Sequence, residues 1–244
     1  MSFGPILTVL LYSSLAAFTA ALGVFPHALR GQLSLPVIGW ANALASGLMF
    51  GVAYTLLTTG LQEQLTAGAV GALIGIAFVR VTHALTATAE LDLEQLDAAD
   101  EAYGYKVILA DTLHAAHEGV AIGVAMSLSL PLGIAMAVTL GVHNIPEAMI
   151  LTRVVTTRGA PLHQAAGLAL ATNANQVLLA VVTFVLVAAL PALLPWVTGY
   201  AVGAFTYLVL VELLPEAYRQ AGPTSIALVT MVALGVVVLL LGLT

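Results

Sequence analysis

Three acids, three histidines and an asparagine are concentrated in one stretch of an otherwise strongly apolar chain. In chain order these polar residues are Asp111, His114, His117, Glu118, His143, Asn144 and Glu147. Placing an ionisable group in the hydrocarbon of a membrane costs at least about 2–3 kcal/mol, so such groups usually mark a pathway or a binding site. We therefore interpret the stretch as a metal site buried in a bundle of membrane helices.

Helical spacing divides the principal polar residues into two stripes. Residues three, four or seven positions apart share one face of an α-helix, which places Asp111, His114 and Glu118 on one stripe. His143 and Glu147 form the second stripe. If the stripes face each other, two imidazoles and two carboxylates meet. This donor set suits Zn²⁺, Fe²⁺, Mn²⁺ or Co²⁺, whereas oxygen ligands alone would favour Ca²⁺ or Mg²⁺. We expect these two histidines and two glutamates to be the metal ligands.

The neighbouring polar residues have less defined roles. Asn144 lies at the edge of the second stripe and is a further candidate ligand. His117 lies about 100° around the helix from Glu118, so it is either an accessory ligand or a helix-packing group. Asp111 is expected to orient His114 or to admit ions.

The composition is that of a multi-pass membrane protein. Of 244 residues, 61% are hydrophobic and 7% are charged, and the mean hydropathy is +1.06. A soluble domain carries about 25% charged residues, and a membrane span needs about 20 apolar residues. About eight spans therefore fit, without a sizeable soluble domain. Because cysteine is absent, disulfides and thiolate ligands are excluded, and no basic cluster suggests a nucleic-acid partner.

Apolar runs predict one all-α membrane domain, 1–244, with eight helices. Their expected ranges are 5–24, 36–58, 66–86, 105–127, 131–155, 161–186, 195–217 and 222–243, with the central pair at 105–155. The first helix is expected to be a retained span, since no Lys or Arg precedes Arg30. Pro146 removes one backbone hydrogen bond, which either opens the site or is only a packing kink. Gly71 and Gly75 either allow two helices to pack closely or are only tolerated within a membrane helix.

Positive residues predict the orientation in the membrane. All six lie at odd-numbered connections: Arg30, Arg80, Lys106, Arg153, Arg158 and Arg219. The positive-inside rule then places these connections in the cytoplasm and both termini outside. The cytoplasmic 87–104 loop carries six acids, and it is either a solvated connector or a cation-collecting segment, with His83 near its start.

The two polar motifs resemble the paired signatures of the ZIP (Zrt/Irt-like) divalent metal transporters. The resemblance rests on Asp111-x-Leu-His114-x-x-x-Glu118-Gly-x-Ala-Ile-Gly and on His143-Asn-Ile-Pro-Glu147. It implies eight helices in a 3+2+3 inverted repeat, both termini outside, and a transport site between the fourth and fifth helices. The resemblance further implies transport toward the cytoplasm by a homodimer in the cell membrane, with zinc as the first candidate ion and iron, manganese, cobalt or cadmium as alternatives. Glu212-Leu-Leu-Pro215 also resembles the family's seventh helix, which makes Glu212 a possible accessory residue.

Several positions depart from the family pattern. Ala115 offers no donor atom, His117 stands where proline is frequent, and Asn173 is placed where many members carry a carboxylate in the sixth helix. Since Asn144 and Asn173 are neutral, the sequence predicts one tightly held ion per chain. The alternatives are a membrane-embedded metal-dependent hydrolase and a metal sensor that moves no ion. No H-E-x-x-H motif occurs, so we do not expect an enzyme.

Overall fold

The computed structural model describes residues 3–31, 33–60, 64–86 and 101–241. Most of the acidic loop predicted at 87–104 lies outside these ranges. Within them the chain is helical and contains no β-strand. The all-α fold class predicted from the sequence is therefore confirmed for the part of the chain that is described.

Eight helical segments account for nearly all of the described residues. They are α1 (3–30), α2 (Leu35–Gly60), α3 (Leu65–Thr86), α4 (Glu101–Leu128), α5 (Leu130–Thr157), α6 (Leu162–Ala189), α7 (Pro191–Ala221) and α8 (Pro223–Leu241). All except α4 are long and apolar enough to cross a membrane. The α4 helix has the necessary length, with 28 residues, but carries the first polar stripe. Its polarity is the feature that requires a protein environment in the membrane.

Three segments are interrupted. In α1, a 3₁₀ turn at Ala20–Val24 joins the helices Phe3–Thr19 and Phe25–Arg30. In α6, Asn173 separates Leu162–Thr172 from Ala174–Ala189.

The α7 segment changes its helical form twice. A 3₁₀ turn, Pro191–Leu193, leads into the α-helix Leu194–Leu208. A π turn at Val209–Leu213 then precedes the α-helix Leu214–Ala221. Single π turns inside helices are frequent at functional sites, and this one contains the predicted accessory residue Glu212.

The pattern of helix neighbours fits the 3+2+3 repeat. The α2 segment packs on α8 as α7 packs on α3, and α4 packs on α6 as α5 packs on α1. The α2–α5 contact likewise corresponds to an α7–α4 contact. Exchanging the first three segments with the last three, and α4 with α5, therefore preserves these three pairs of contacts. Such a relation is common in transporters with inverted repeats.

Glycine brings α3 and α7 into backbone contact. A Cβ atom on Gly71 would lie 2.2 Å from the carbonyl oxygen of Trp196, and one on Gly75 would lie 2.3 Å from that of Tyr200. Neither position has room for a side chain. Of the two interpretations of this glycine pair, the structure supports close helix packing of the kind found between membrane helices.

The outer surface is apolar. Leu29, Leu85 and Leu239 are among the most exposed large side chains, at 83%, 82% and 71%. Patches of this kind are unfavourable in water, whereas hydrocarbon accepts them. The polar residues of the central stretch are instead turned inward, so the bundle is apolar outside and polar at its centre.

Candidate metal centre

A one-residue connection fixes the pairing of α4 and α5. Ser129 lies between Leu128 and Leu130 in an extended conformation, and its side chain accepts a hydrogen bond from the backbone N–H of Leu132 at 3.2 Å. This capping satisfies one of the free donors at the start of α5. Because so short a turn returns the chain on itself, α4 and α5 pack as antiparallel neighbours. Their two polar stripes can then meet at similar distances from the turn.

Three of the predicted ligands form a compact cluster. His143 Nε2 lies 2.9 Å from Glu118 Oε1 and 3.8 Å from Glu147 Oε2. One ligand atom from each of the three residues lies within 4.8 Å of the others. Two ligand atoms of a tetrahedral zinc ion are about 3.3 Å apart, since each zinc–ligand bond is about 2.0 Å. The observed distances lie on either side of this value, so one ion could contact all three residues after small movements.

The fourth predicted ligand joins the cluster through Glu147. His114 Nδ1 lies 3.8 Å from Glu147 Oε1, on the side of the carboxylate away from His143. The structure therefore brings together both histidines and both glutamates of the two stripes. Glu118 and His143 are fully buried, whereas the side chain of Glu147 keeps 14% of its surface accessible.

Several atoms at the centre that could ligate a metal make no well-formed hydrogen bond to the described residues. They are Glu118 Oε1, Glu147 Oε2, His114 Nε2, both ring nitrogens of His143, and Asn144 Oδ1. A buried polar atom without a partner costs about 1–3 kcal/mol, and a charged one costs more. A cation would offset this cost, because each oxygen and one nitrogen of each imidazole could ligate it.

Asn144 and a residue that the sequence did not single out, Gln176, lie beside the cluster. Asn144 Nδ2 donates to Gln176 Oε1, and Gln176 Nε2 donates to Glu118 Oε2, each at 3.0 Å. Asn173, which was placed at the sixth-helix position, instead donates through Nδ2 to Ala169 O at 2.9 Å. The α6 side chain that contacts a predicted ligand is therefore Gln176. In the sequence, Gln176 could have been recognised as a candidate because it is a glutamine within an otherwise apolar helix.

His117 is turned toward other helices. Its Nδ1 lies 2.5 Å from Leu113 O, and its ring stacks on Tyr200 at a centroid distance of 5.8 Å and an angle of 10°. Phe78 meets the same ring edge-on at 6.0 Å. These contacts from α3 and α7 favour a packing role over an accessory ligand. Asp111 remains on the stripe of His114, buried, and its Oδ2 has no hydrogen-bond partner in the described ranges.

Glu212 pairs with a residue of α3. Its Oε1 lies 2.7 Å from His83 Nδ1, and the His83 side chain is nearly inaccessible. The pairing joins the π turn of α7 to the last turn of α3. Since these two residues are far apart in the sequence, only the packing of α3 against α7 could reveal the contact.

Comparison with known proteins agrees with the geometry of the site. A family model described as ZIP zinc transporter matches residues 82–242. A protein of Arabidopsis thaliana, described as a candidate zinc transporter, is 30% identical over 225 residues, covering 90% of this chain and 36% of the relative. The chain thus spans about a third of that relative's length.

A second relative has a similar length to this chain. The zinc transporter GufA of Myxococcus xanthus is 29% identical over 232 residues, covering 86% of this chain and 88% of the relative. The family model includes all of α4 to α8, and so both polar stripes. From the extent of this match and the agreement of the two helix motifs, the chain belongs to the ZIP zinc transporter family.

Proposed function

We propose that this chain transports divalent transition-metal ions toward the cytoplasm, with zinc as its principal substrate. The ion would pass through the centre formed by His114, Glu118, His143 and Glu147. The observation that carries the proposal is the convergence of Glu118, His143 and Glu147 from two adjoining helices, with ligand atoms within 4.8 Å. Family membership supports transport, and the relatives' descriptions support zinc.

The donor set favours zinc and similar ions. Two imidazoles and two carboxylates combine borderline nitrogen ligands with anionic oxygen ligands. The carboxylates would offset the charge of a dication that has lost its water, which neutral histidines alone could not do. Iron, manganese, cobalt and cadmium ions use overlapping ligand types, so we expect them to compete with zinc to different degrees.

Burial of the centre implies that the helices move during transport. Glu118 and His143 are 0% and 1% exposed. An ion held between them could neither enter nor leave without a change in the packing of α4 or α5. Transport by this chain would therefore alternate between states in which the centre faces opposite sides of the membrane.

The charge distribution supports the proposed orientation in the membrane, and the direction of transport follows from the family resemblance. With the six positive residues at odd-numbered connections, both termini would face outward and the acidic 87–104 loop would face the cytoplasm. That segment would serve as a solvated connector or collect released cations. We further propose that the protein acts in the cell membrane as a homodimer, as the family resemblance implies, and that 105–155 is the central pair of a single domain.

Zinc flux into liposomes that contain the purified protein tests the proposal. A carrier would accumulate zinc above protein-free liposomes, and Glu147→Ala would remove most of that flux. Glu216→Gln is a matched control, because Glu216 is also a buried carboxylate but accepts a hydrogen bond from Gln220 at 2.6 Å and pairs with Arg219. Zinc binding without flux would favour a sensor, and hydrolysis of a substrate would favour an enzyme.

A further inference from the structure

Three hydrogen bonds connect Glu118 to three other helices. Asn144 Nδ2, in α5, donates to Ala16 O of α1 and to Gln176 Oε1 of α6, each at 3.0 Å. Gln176 Nε2 then donates to Glu118 Oε2 of α4 at 3.0 Å. Asn144 and Gln176 are both fully buried. The series therefore runs through the interior, from a backbone carbonyl of α1 to a predicted metal ligand.

The direction of these hydrogen bonds is fixed at one end by the Ala16 carbonyl. A backbone carbonyl only accepts, so Asn144 must turn its amide nitrogen toward it. The same nitrogen donates its second hydrogen to Gln176, which must accept it through its amide oxygen. The amide nitrogen of Gln176 consequently faces Glu118. A reversed Gln176 amide would place two donors together at Asn144 and two oxygens together at Glu118.

One consequence is that the two oxygens of Glu118 are in different environments. Oε2 accepts from Gln176, while Oε1 faces His143 Nε2 at 2.9 Å. The amide N–H occupies the lone pair of Oε2 that faces α6, so no cation can bind Glu118 from that direction while this hydrogen bond is present. Glu118 is thus prepared to offer a single oxygen, on the side of His143 and Glu147.

Backbone packing keeps Gln176 in place. A Cβ atom on Gly119 would lie 2.3 Å from Gln176 O, and one on Gly123 would lie 2.6 Å from Ala180 O. The two glycines allow α6 to rest directly on α4, next to Glu118. Because these backbones are in contact, the backbone of Gln176 cannot move away from α4 without separating the two helices, and its side chain starts from a fixed position beside Glu118.

We propose that Gln176 is a positioning residue that restricts Glu118 to one metal-binding oxygen and thereby limits the centre to one ion per chain. The proposal rests on the proposed function, since it assumes that Glu118 ligates the transported metal. A second dication beside the first would need further anionic oxygen to offset the repulsion between them. Gln176 occupies the place where Glu118 could supply it, and contributes only a neutral amide.

The Gln176→Glu variant tests this role. A carboxylate at position 176 can still accept from Asn144, but it cannot donate to Glu118 when ionised. Two carboxylates would then face each other at about hydrogen-bond distance, a position that a cation would stabilise. We expect cadmium bound to purified protein at pH 8 to rise from one ion per chain to two, measured by mass spectrometry of the metal after equilibrium dialysis. Two well-occupied anomalous peaks in cadmium-soaked crystals would locate the ions.

Asn173→Asp is the matched comparison, because it adds the same charge three residues earlier on α6. Since Asn173 donates to Ala169 O, we expect this variant to keep one ion per chain. Two ions in the unmodified protein, or one ion in Gln176→Glu, would overturn the proposed role of Gln176 without contradicting the proposed transport function. Absence of any bound cadmium in the unmodified protein would instead overturn the proposed function, and the role of Gln176 with it.

A neutral substitution provides a second readout. Gln176→Met has a similar length but no amide, so Oε2 of Glu118 is released from its donor. In zinc X-ray absorption spectra we expect this variant to show one additional zinc–oxygen contact, because Glu118 can then bind the ion as a bidentate ligand. Size-exclusion chromatography should show that the variant folds like the unmodified protein. A purely structural role for Gln176 would leave the zinc coordination as it is, and that result would contradict the proposal.

Discussion

Glu118 Oε1 lies 2.9 Å from His143 Nε2, although the two residues belong to different helices. The contact joins α4 to α5 at the most deeply buried point of the candidate centre. Neither atom has a well-formed hydrogen bond among the described residues, and both have the chemistry of a metal ligand. The pair therefore links the two sequence motifs in one binding geometry.

Loss of the Glu147 carboxylate is expected to remove most zinc uptake. Glu147→Ala takes away one of two anionic ligands, and even changes outside the ligand sphere typically lower metal affinity by about 10- to 100-fold. We expect uptake in liposomes to fall at least about tenfold. Because part of the Glu147 side chain is accessible, the variant should still fold, which size-exclusion chromatography would show. Normal uptake by folded Glu147→Ala protein would remove Glu147 from the site.

Acid is expected to weaken zinc binding. A histidine ligates only when neutral, and protons therefore compete with the metal at His114 and His143. Zinc affinity should therefore be higher at pH 8 than at pH 5. Equilibrium zinc binding to detergent-solubilised protein, measured between pH 5 and 8, separates this effect from any proton gradient. An affinity that does not change across this range would contradict ligation by imidazole.

The α3–α7 interface is expected to tolerate no side chain at Gly71. Gly71→Ala would place a Cβ atom 2.2 Å from Trp196 O, so the two helices would have to separate. Gly235→Ala in α8 is the matched control, because no heavy atom lies within 4 Å of the added methyl group. In a free helix position, alanine stabilises by up to about 1 kcal/mol relative to glycine. Thermal unfolding in detergent should show a lower Tm for the first variant only.

Orientation can be tested by labelling single cysteines in this cysteine-free chain. Gln64 is exposed between α2 and α3, at an even-numbered connection, whereas Glu90 belongs to the acidic segment at an odd-numbered one. We expect a membrane-impermeant reagent to label Gln64→Cys in intact cells and Glu90→Cys only after the cells are opened. The reverse pattern would place both termini in the cytoplasm.

Hydropathy and spacing were sufficient to predict the helices and the meeting of the two stripes. The first helix was predicted to end at residue 24, two residues before Pro26, because proline commonly terminates a helix. In the structure Pro26 lies in the first turn of Phe25–Arg30, where a missing N–H costs nothing, and the helical run continues to Arg30. A proline that can end a helix was therefore compatible with a helical segment that continues past it.

Contacts between distant segments were beyond the reach of the sequence. The choice between Asn173 and Gln176 depends on the interruption of α6 at Asn173 and on the contact of α6 with Gly119. Likewise, the Glu212–His83 pair depends on how α3 packs against the π turn of α7. Spacing fixes which side chains share a face of one helix, but not which helix that face meets.

The two histidines of α4 are expected to respond differently to substitution by phenylalanine. His114 Nδ1 approaches Glu147 at 3.8 Å, whereas the ring of His117 stacks on Tyr200 and meets Phe78 edge-on. A phenyl ring can keep both aromatic contacts of His117, and only the interaction of Nδ1 with Leu113 O is lost. His117→Phe should therefore retain most zinc uptake, while His114→Phe, which loses a ligand, should lose at least about tenfold.

Zinc flux in liposomes, normalised to the amount of folded protein, compares the two variants directly. They have the same change in size and polarity and lie one helical turn apart, so a general effect of an apolar ring on α4 would lower both fluxes alike. If His117→Phe lost as much uptake as His114→Phe, the His117 ring would have to reach the ion during transport. It would then be an accessory ligand, and the packing role inferred from Tyr200 would be wrong.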